Sequence, residues 1–183
     1  MEPDGLAATL PGVEPDLVRR AQRGDTRALT ALLDELVPYV GRICASIAVD
    51  DAEDAAQEAL VLILRNLDSL REPLALWSWS RRIAVHEALR LARRRTRAGL
   101  ATDPERLARA QAALDADGSD GTTSVDVREV LRELTPDQRV LLVMRHMGDL
   151  GDDEMAELLD IPAGTVKSRV FRARAAFRTR WTA

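Results

Sequence analysis

Apolar residues recur along this chain at intervals of three and four, and no segment settles into sustained alternation of period two. That feature limits the fold more than any other. A period near 3.6 is what helices bury, whereas a half-buried strand needs a period of two. Leu29, Leu32, Leu33, Leu36, Val37, Val40, Ile43, Cys44 and Ile47 trace one such stripe. Composition agrees: aromatic residues make up 3% of the chain, and Ala, Leu, Val and Arg, which favour helix over strand as a set, dominate. The expected fold class is all-α, with two small helical domains and no internal repeat.

The elements follow from the same reading. "DLVRRAQRG" is a short amphipathic helix begun near Pro15 and stopped by Gly24, and Pro38 is expected to kink or restart the next helix. After a turn at 49–51 with a good N-cap, a second long helix is expected from Ala52 to Leu67, burying Ala56, Leu60, Ile63, Leu64 and Leu67. A third, from Leu74 to Arg95, buries Ile83 and Leu89. The pattern then degrades, and "DADGSDGTTS" reads as a flexible acidic linker. "VDVREVLREL" restores the period, Thr135 with Pro136 is a strong helix start, and helices at 152–159 and 164–178 flank "DIPA". The expected organisation is an extension over 1–14, a helical domain over 15–97, a linker over 98–124 and a second helical domain over 125–183.

Several function classes are disfavoured. The single cysteine, Cys44, forms no internal disulfide or cysteine-built zinc site and suits a reducing cytoplasm, the expected compartment. His86 and His146 stand apart, with no metal-ligand spacing. Neither a signal peptide nor an apolar run long enough to cross a bilayer is visible. With no glycine-rich phosphate loop and no nucleophile–histidine pairing, neither enzymatic activity, a cofactor nor a metal is expected.

Charge is segregated. The net charge is −4, yet residues 71–97 hold eight basic and two acidic residues, and residues 164–183 hold six basic and none acidic. The second block lies in "GDDEMAELLDIPAGTVKSRVFRARAAFR", a helix, a tight turn and a basic helix: the ingredients of a helix-turn-helix. Met155, Leu158 and Leu159 face inward from the first helix, and Val166, Val170 and Ala173 from the second. Thr165, Lys167, Ser168, Arg169, Phe171 and Arg172 are left outward, near a helix N-terminus, where base edges and phosphates are met. A solvated bundle helix would explain the basic residues, but not twenty positions that forgo every i,i+4 ion pair.

The first block contains "WSWSRRIAVHEALRLARRR". Trp77 and Trp79 are about 200° apart on a helix, so one narrow core stripe does not hold both. Either the helix starts after Trp77, or one indole is partly exposed beside the arginines, as single-strand capture requires. Upstream, Asp54, Gln57 and Glu58 share a helix face. That face is a solvated surface or a docking patch for a basic partner; its residues alone leave both open.

These motifs together resemble a known family. "LTPDQRVLLVMRHMGDLGDDEMAELLDIPAGTVKSRVFRARAAFR" is similar to region 4 of bacterial sigma factors of the extracytoplasmic-function group, most specifically at Gly164 to Arg169 and Arg172 to Arg174. "DDAEDAAQEALVLILRNL" and the pattern Trp79, Ile83, Ala84, Arg93, Arg94, Arg95 resemble region 2. The resemblance implies a promoter-recognition subunit of RNA polymerase. Thr165, Lys167, Ser168, Arg169 and Arg172 would read the −35 element. Trp77, Trp79, Arg81, Arg82, His86, Arg90 and Arg93 would capture the melted −10 strand. Asp54, Gln57 and Glu58 would bind the β′ clamp helices of the core enzyme. The implied partners are polymerase core, at the β′ clamp helices and the β flap, promoter DNA, and an anti-sigma protein of the kind that holds many relatives inactive. Ser80, His86, Arg90 and Pro162 depart from the usual pattern, so the −10 sequence and the helix-turn-helix cap are not inferred from it. The alternative is a stand-alone helix-turn-helix regulator that binds operator DNA without joining polymerase; it leaves the first helical domain without a use.

Overall fold

Asp25 begins the longest early helix by satisfying its exposed amides: its carboxylate accepts from the backbone N–H of Arg27 at 3.0 Å and of Ala28 at 3.2 Å. Arg20 grips the same carboxylate from the preceding helix. Between them Gly24 adopts φ 87°, the left-handed conformation that glycine enters without a Cβ penalty. The computed structural model describes residues 14–98, 121–148 and 150–181. The extension before residue 14 and most of the expected linker lie outside the described residues.

Eight α-helices are present among the described residues, with no strand. They are α1 (Pro15–Gln22), α2 (Thr26–Ile47), α3 (Ala52–Arg65), α4 (Leu76–Arg97), α5 (Gly121–Glu133), α6 (Pro136–His146), α7 (Asp152–Leu159) and α8 (Ala163–Trp181). The all-α expectation holds. Helices α1 to α4 pack around Leu32, Leu36, Tyr39, Ile43, Ile47, Ile63 and Val85, and α5 to α8 around Val140, Met144, Met155, Val166, Val170 and Ala173.

Four details differ from expectation. Pro38 does not restart the helix: α2 runs through it. Proline cannot donate to the carbonyl of Asp34, but both residues are exposed, so water can satisfy that oxygen. The buried row of α3 is Ala55, Ala59 and Ile63, with Ala56 and Leu60 only partly buried at its edge. Asp51 makes no capping bond to α3; its carboxylate instead accepts from Arg95 at 3.2 Å. Finally, 3-10 turns at Leu67–Ser69 and Pro73–Ala75 delay α4 to Leu76, and α5 begins at Gly121, four residues before the expected second domain.

The second unit starts as the sequence demands. Thr135 Oγ1 accepts from Gln138 N–H at 3.3 Å while Gln138 Oε1 accepts from Thr135 N–H at 3.0 Å, a reciprocal capping box on α6. Asp160 ends α7 in the left-handed region at φ 51°, which turns the chain into α8. Against the first unit, α6 packs on α2 and α4.

Candidate nucleic-acid and polymerase interfaces

Helix α8 is held by its inner row and leaves its outer one to solvent. Val166, Val170 and Ala173 are buried against α6 and α7, and their spacing turns Lys167, Ser168, Arg169 and Arg172 to solvent. Thr165 is half-buried, and its N–H donates to the Pro162 carbonyl at 2.8 Å. Ser168 Oγ donates to the Thr165 carbonyl at 2.9 Å, and Arg172 Nε to the Ser168 carbonyl at 3.4 Å, so both side chains lie along the helix. Phe171 is 68% exposed on this same face. The charge pattern passes over it, although an exposed ring between basic residues is the apolar element that meets a thymine methyl in a major groove.

On α4 the structure separates the tryptophans. Trp77 is buried: its ring meets Tyr39 edge-on at 5.0 Å, and the Tyr39 hydroxyl donates to its carbonyl at 3.4 Å. It cannot stack on a base in this conformation, which removes it from the contact set. Arg81 is half-buried and faces the Tyr39 hydroxyl, whose pKa burial pushes up and Arg81 pulls back. Trp79 is half-buried at the surface. It begins a row at intervals of three and four: Trp79, Arg82, His86, Arg90 and Arg93. Four of these five are exposed, and all share one side of α4.

The arginines of that row are engaged. Arg90 bonds Glu87 at 2.7 Å and also pairs with Glu58 of α3, contacts that raise its pKa. Arg82 lies 3.5 Å from Glu157 of α7, and Arg93 pairs with Asp137 of α6. Glu58 therefore joins two sets that the sequence treats separately, the Asp54, Gln57 and Glu58 face of α3 and the α4 row. Asp54, Gln57 and Glu58 are exposed on α3, and Val61, 43% exposed, continues their face by one more turn. The helical period that links 54, 57 and 58 also predicts 61, but an acidic-patch reading does not look for a valine.

In the second unit an open groove of about 670 Å³ is lined by Val127, Leu131, Leu142, Val143 and Phe177, with Arg174 and Arg178 on its walls. Among the described residues no group of three or more His, Cys, Asp or Glu side chains is placed to hold a metal, and no helix is long and apolar enough to cross a membrane.

Comparison with known proteins matches each unit separately. Residues 29–98 match the family model for Sigma-70 region 2, and residues 124–177 that for Sigma-70, region 4. The chain is 32% identical over 178 residues to the RNA polymerase sigma-H factor of Pseudomonas aeruginosa, covering 89% of this chain and 91% of that protein. It is 30% identical over 181 residues to the ECF RNA polymerase sigma-E factor of Escherichia coli, covering 87% and 90%. Among solved structures, the sigma factor RpoE in complex with the anti-sigma factor NepR, from Bartonella quintana, shares the fold. Its TM-score is 0.62 at 22% identity, over 86% of this chain and 99% of that one. A match to region 2 leaves no room for the stand-alone regulator, because the first unit is then part of the same machine as the helix-turn-helix. The chain belongs to the sigma-70 family of RNA polymerase sigma factors, in its extracytoplasmic-function group.

Proposed function

We propose that this sigma factor divides its work between four surfaces. The exposed side of α8, with Lys167, Ser168, Arg169, Arg172 and Thr165, enters the major groove at the −35 element, and Phe171 adds apolar contact there. The α4 row of Trp79, Arg82, His86, Arg90 and Arg93, with Arg81 beside it, follows the backbone of the melted −10 strand and stacks on its bases. Asp54, Gln57, Glu58 and Val61 on α3 dock on the β′ clamp helices, and the apolar groove between α5, α6 and α8 receives the β flap. An anti-sigma protein completes the partner set, and the cytoplasm is the compartment in which the chain works. As a sigma factor it is an initiation factor and not an enzyme.

One observation carries the reading: Asp54, Gln57 and Glu58 on α3, Arg82, His86, Arg90 and Arg93 on α4, and Lys167, Ser168, Arg169 and Arg172 on α8 are all exposed, while each of these helices buries a separate row against the core. Run-off transcription with core polymerase on a genomic promoter library tests it. Stimulation of a restricted promoter set is expected, and none at any promoter from folded protein would sink it. Arg172→Ala is expected to lose about 1–3 kcal/mol of duplex binding and to lower the salt slope by roughly one. Asp54→Lys with Glu58→Lys is expected to abolish co-purification with core while leaving duplex binding intact. Equal loss of both activities would mean unfolding, not a docking face.

A further inference from the structure

Near the C-terminal end of α4, a cavity of about 310 Å³ opens between the α2–α3 turn and the α5–α6 junction. No residue assigned above to DNA or to core polymerase lines it. Ala48, Val49, Ala92, Leu134 and Pro136, all buried, form its apolar wall. Three guanidiniums converge on it, from Arg95, Arg132 and Arg139. Two of them are paired: Arg132 Nε donates to Asp50 at 2.9 Å, and Arg95 Nη1 to Asp51 at 3.2 Å. The third acid at the cavity, Glu133, is engaged by Arg180 of α8, whose Nε lies 3.3 Å away. Arg139 stands apart. It is 6% exposed, forms no ion pair among the described residues, and its Nε–H has no hydrogen-bond partner there. Burial pulls its pKa down and the nearby charge of Asp50 pulls it back up, but a guanidinium in a protein stays charged.

We infer that this cavity is a binding site for a small monocarboxylic acid, its carboxylate held by Arg139 and its apolar body laid on the wall that Val49, Ala92 and Leu134 help to form. The site is additional to the four surfaces proposed above. Charge selects the head group. With Glu133 engaged by Arg180, three guanidiniums face two carboxylates, and the charge left over belongs to Arg139. A buried charge without a partner is costly to hold, and one monoanion cancels it. A phosphate dianion would instead leave surplus negative charge beside Asp50 and Asp51. Geometry selects the same group, because the planar guanidinium fork matches a planar carboxylate through two parallel N–H···O bonds. The volume lies at the small end of the range for ligand pockets, and an apolar lining with a few convergent polar groups is how such pockets are built.

The test titrates the full ¹⁵N-labelled chain with sodium benzoate, sodium chloride holding the ionic strength constant, and follows backbone amide shifts by NMR. Saturable shifts are expected at 48–51, 92–96 and 132–139. Their absence, or saturable shifts confined to other parts of the chain, would overturn the site. Benzyl alcohol, which has the ring without the charge, is expected to bind more weakly; equal binding would make the cavity a merely apolar hole and end the proposal. Phenyl phosphate is also expected to bind more weakly, and a tighter fit for it would overturn the assignment to a monocarboxylate. Arg139→Gln is expected to weaken benzoate by roughly tenfold or more, as loss of a hydrogen bond to a charged group does. Arg139→Lys, which keeps the charge but not the fork, should fall between that variant and the parent. Undiminished affinity in both variants would show that Arg139 does not hold the anion, and the titrations of the parent chain decide the matter even where a variant fails to fold.

Discussion

At residue scale, Ser80 is where the chain departs most plainly from the packing its helix asks for. It lies on the buried side of α4, one turn from its start, at 0% exposure, and its hydroxyl has no hydrogen-bond partner. The neighbouring buried positions Ala84, Val85 and Ala88 are apolar. A buried hydroxyl without a partner carries a desolvation cost, and serine is a weaker helix former than alanine. Ser80→Ala is therefore expected to raise unfolding stability by about 1 kcal/mol, with the midpoint of urea denaturation moving up at constant slope. A lower midpoint would mean the hydroxyl has a partner in solution. The residue lies on the side of α4 away from the Trp79 to Arg93 row, so DNA binding by the variant should match the parent.

At the scale of elements, the turn between α7 and α8 sets the direction of α8 and its exposed basic face, and Asp160 makes that turn at φ 51° and ψ 51°. A left-handed residue with a Cβ is strained, although aspartate tolerates the region better than most. Asp160→Gly is expected to stabilise the second unit by about 0.5–1 kcal/mol, the relief of strain exceeding the added freedom of the unfolded chain. Thermal denaturation followed by circular dichroism checks it, and destabilisation would show that the carboxylate contributes more than the backbone loses. Helix existence was readable from the apolar period almost everywhere, because each long helix buries one stripe. Rotation of α3 was not. Ala55 with Ala59 and Ala56 with Leu60 are adjacent rows one position apart, and only the packing of α3 on α2 and α4 selects the first. The outward side of α8 was readable because Val166, Val170 and Ala173 define its opposite. By contrast, the acids that meet α4 come from 32 positions away for Glu58 and 44 for Asp137. No local pattern carries such pairs.

At the scale of the whole molecule, the two helical units are coupled where α6 meets α2 and α4, and their buried side chains form one contiguous cluster. The tie between them is polar as well as apolar, and Arg132 is its pivot: it bridges α5 to Asp50 with only 17% of its side chain exposed. Losing a hydrogen bond to a charged partner at such a site costs about 2 kcal/mol. If that energy belongs to the junction, its loss falls mainly on the second unit, which has the smaller core and depends more on its neighbour. For a unit of that size each kcal/mol moves the melting temperature by roughly 4–8 °C. Calorimetry on the full chain is expected to give one composite transition for the parent. With Arg132→Gln, a separate transition for α5 to α8 should appear about 10 °C lower, while the α1 to α4 transition stays in place. A single peak that shifts as a whole would mean the chain melts as one cooperative body, and the junction would then be part of its core and too costly to open during initiation. Two resolved peaks would fit units that separate at modest cost, as a factor must if one end is to read upstream duplex while the other holds a melted strand.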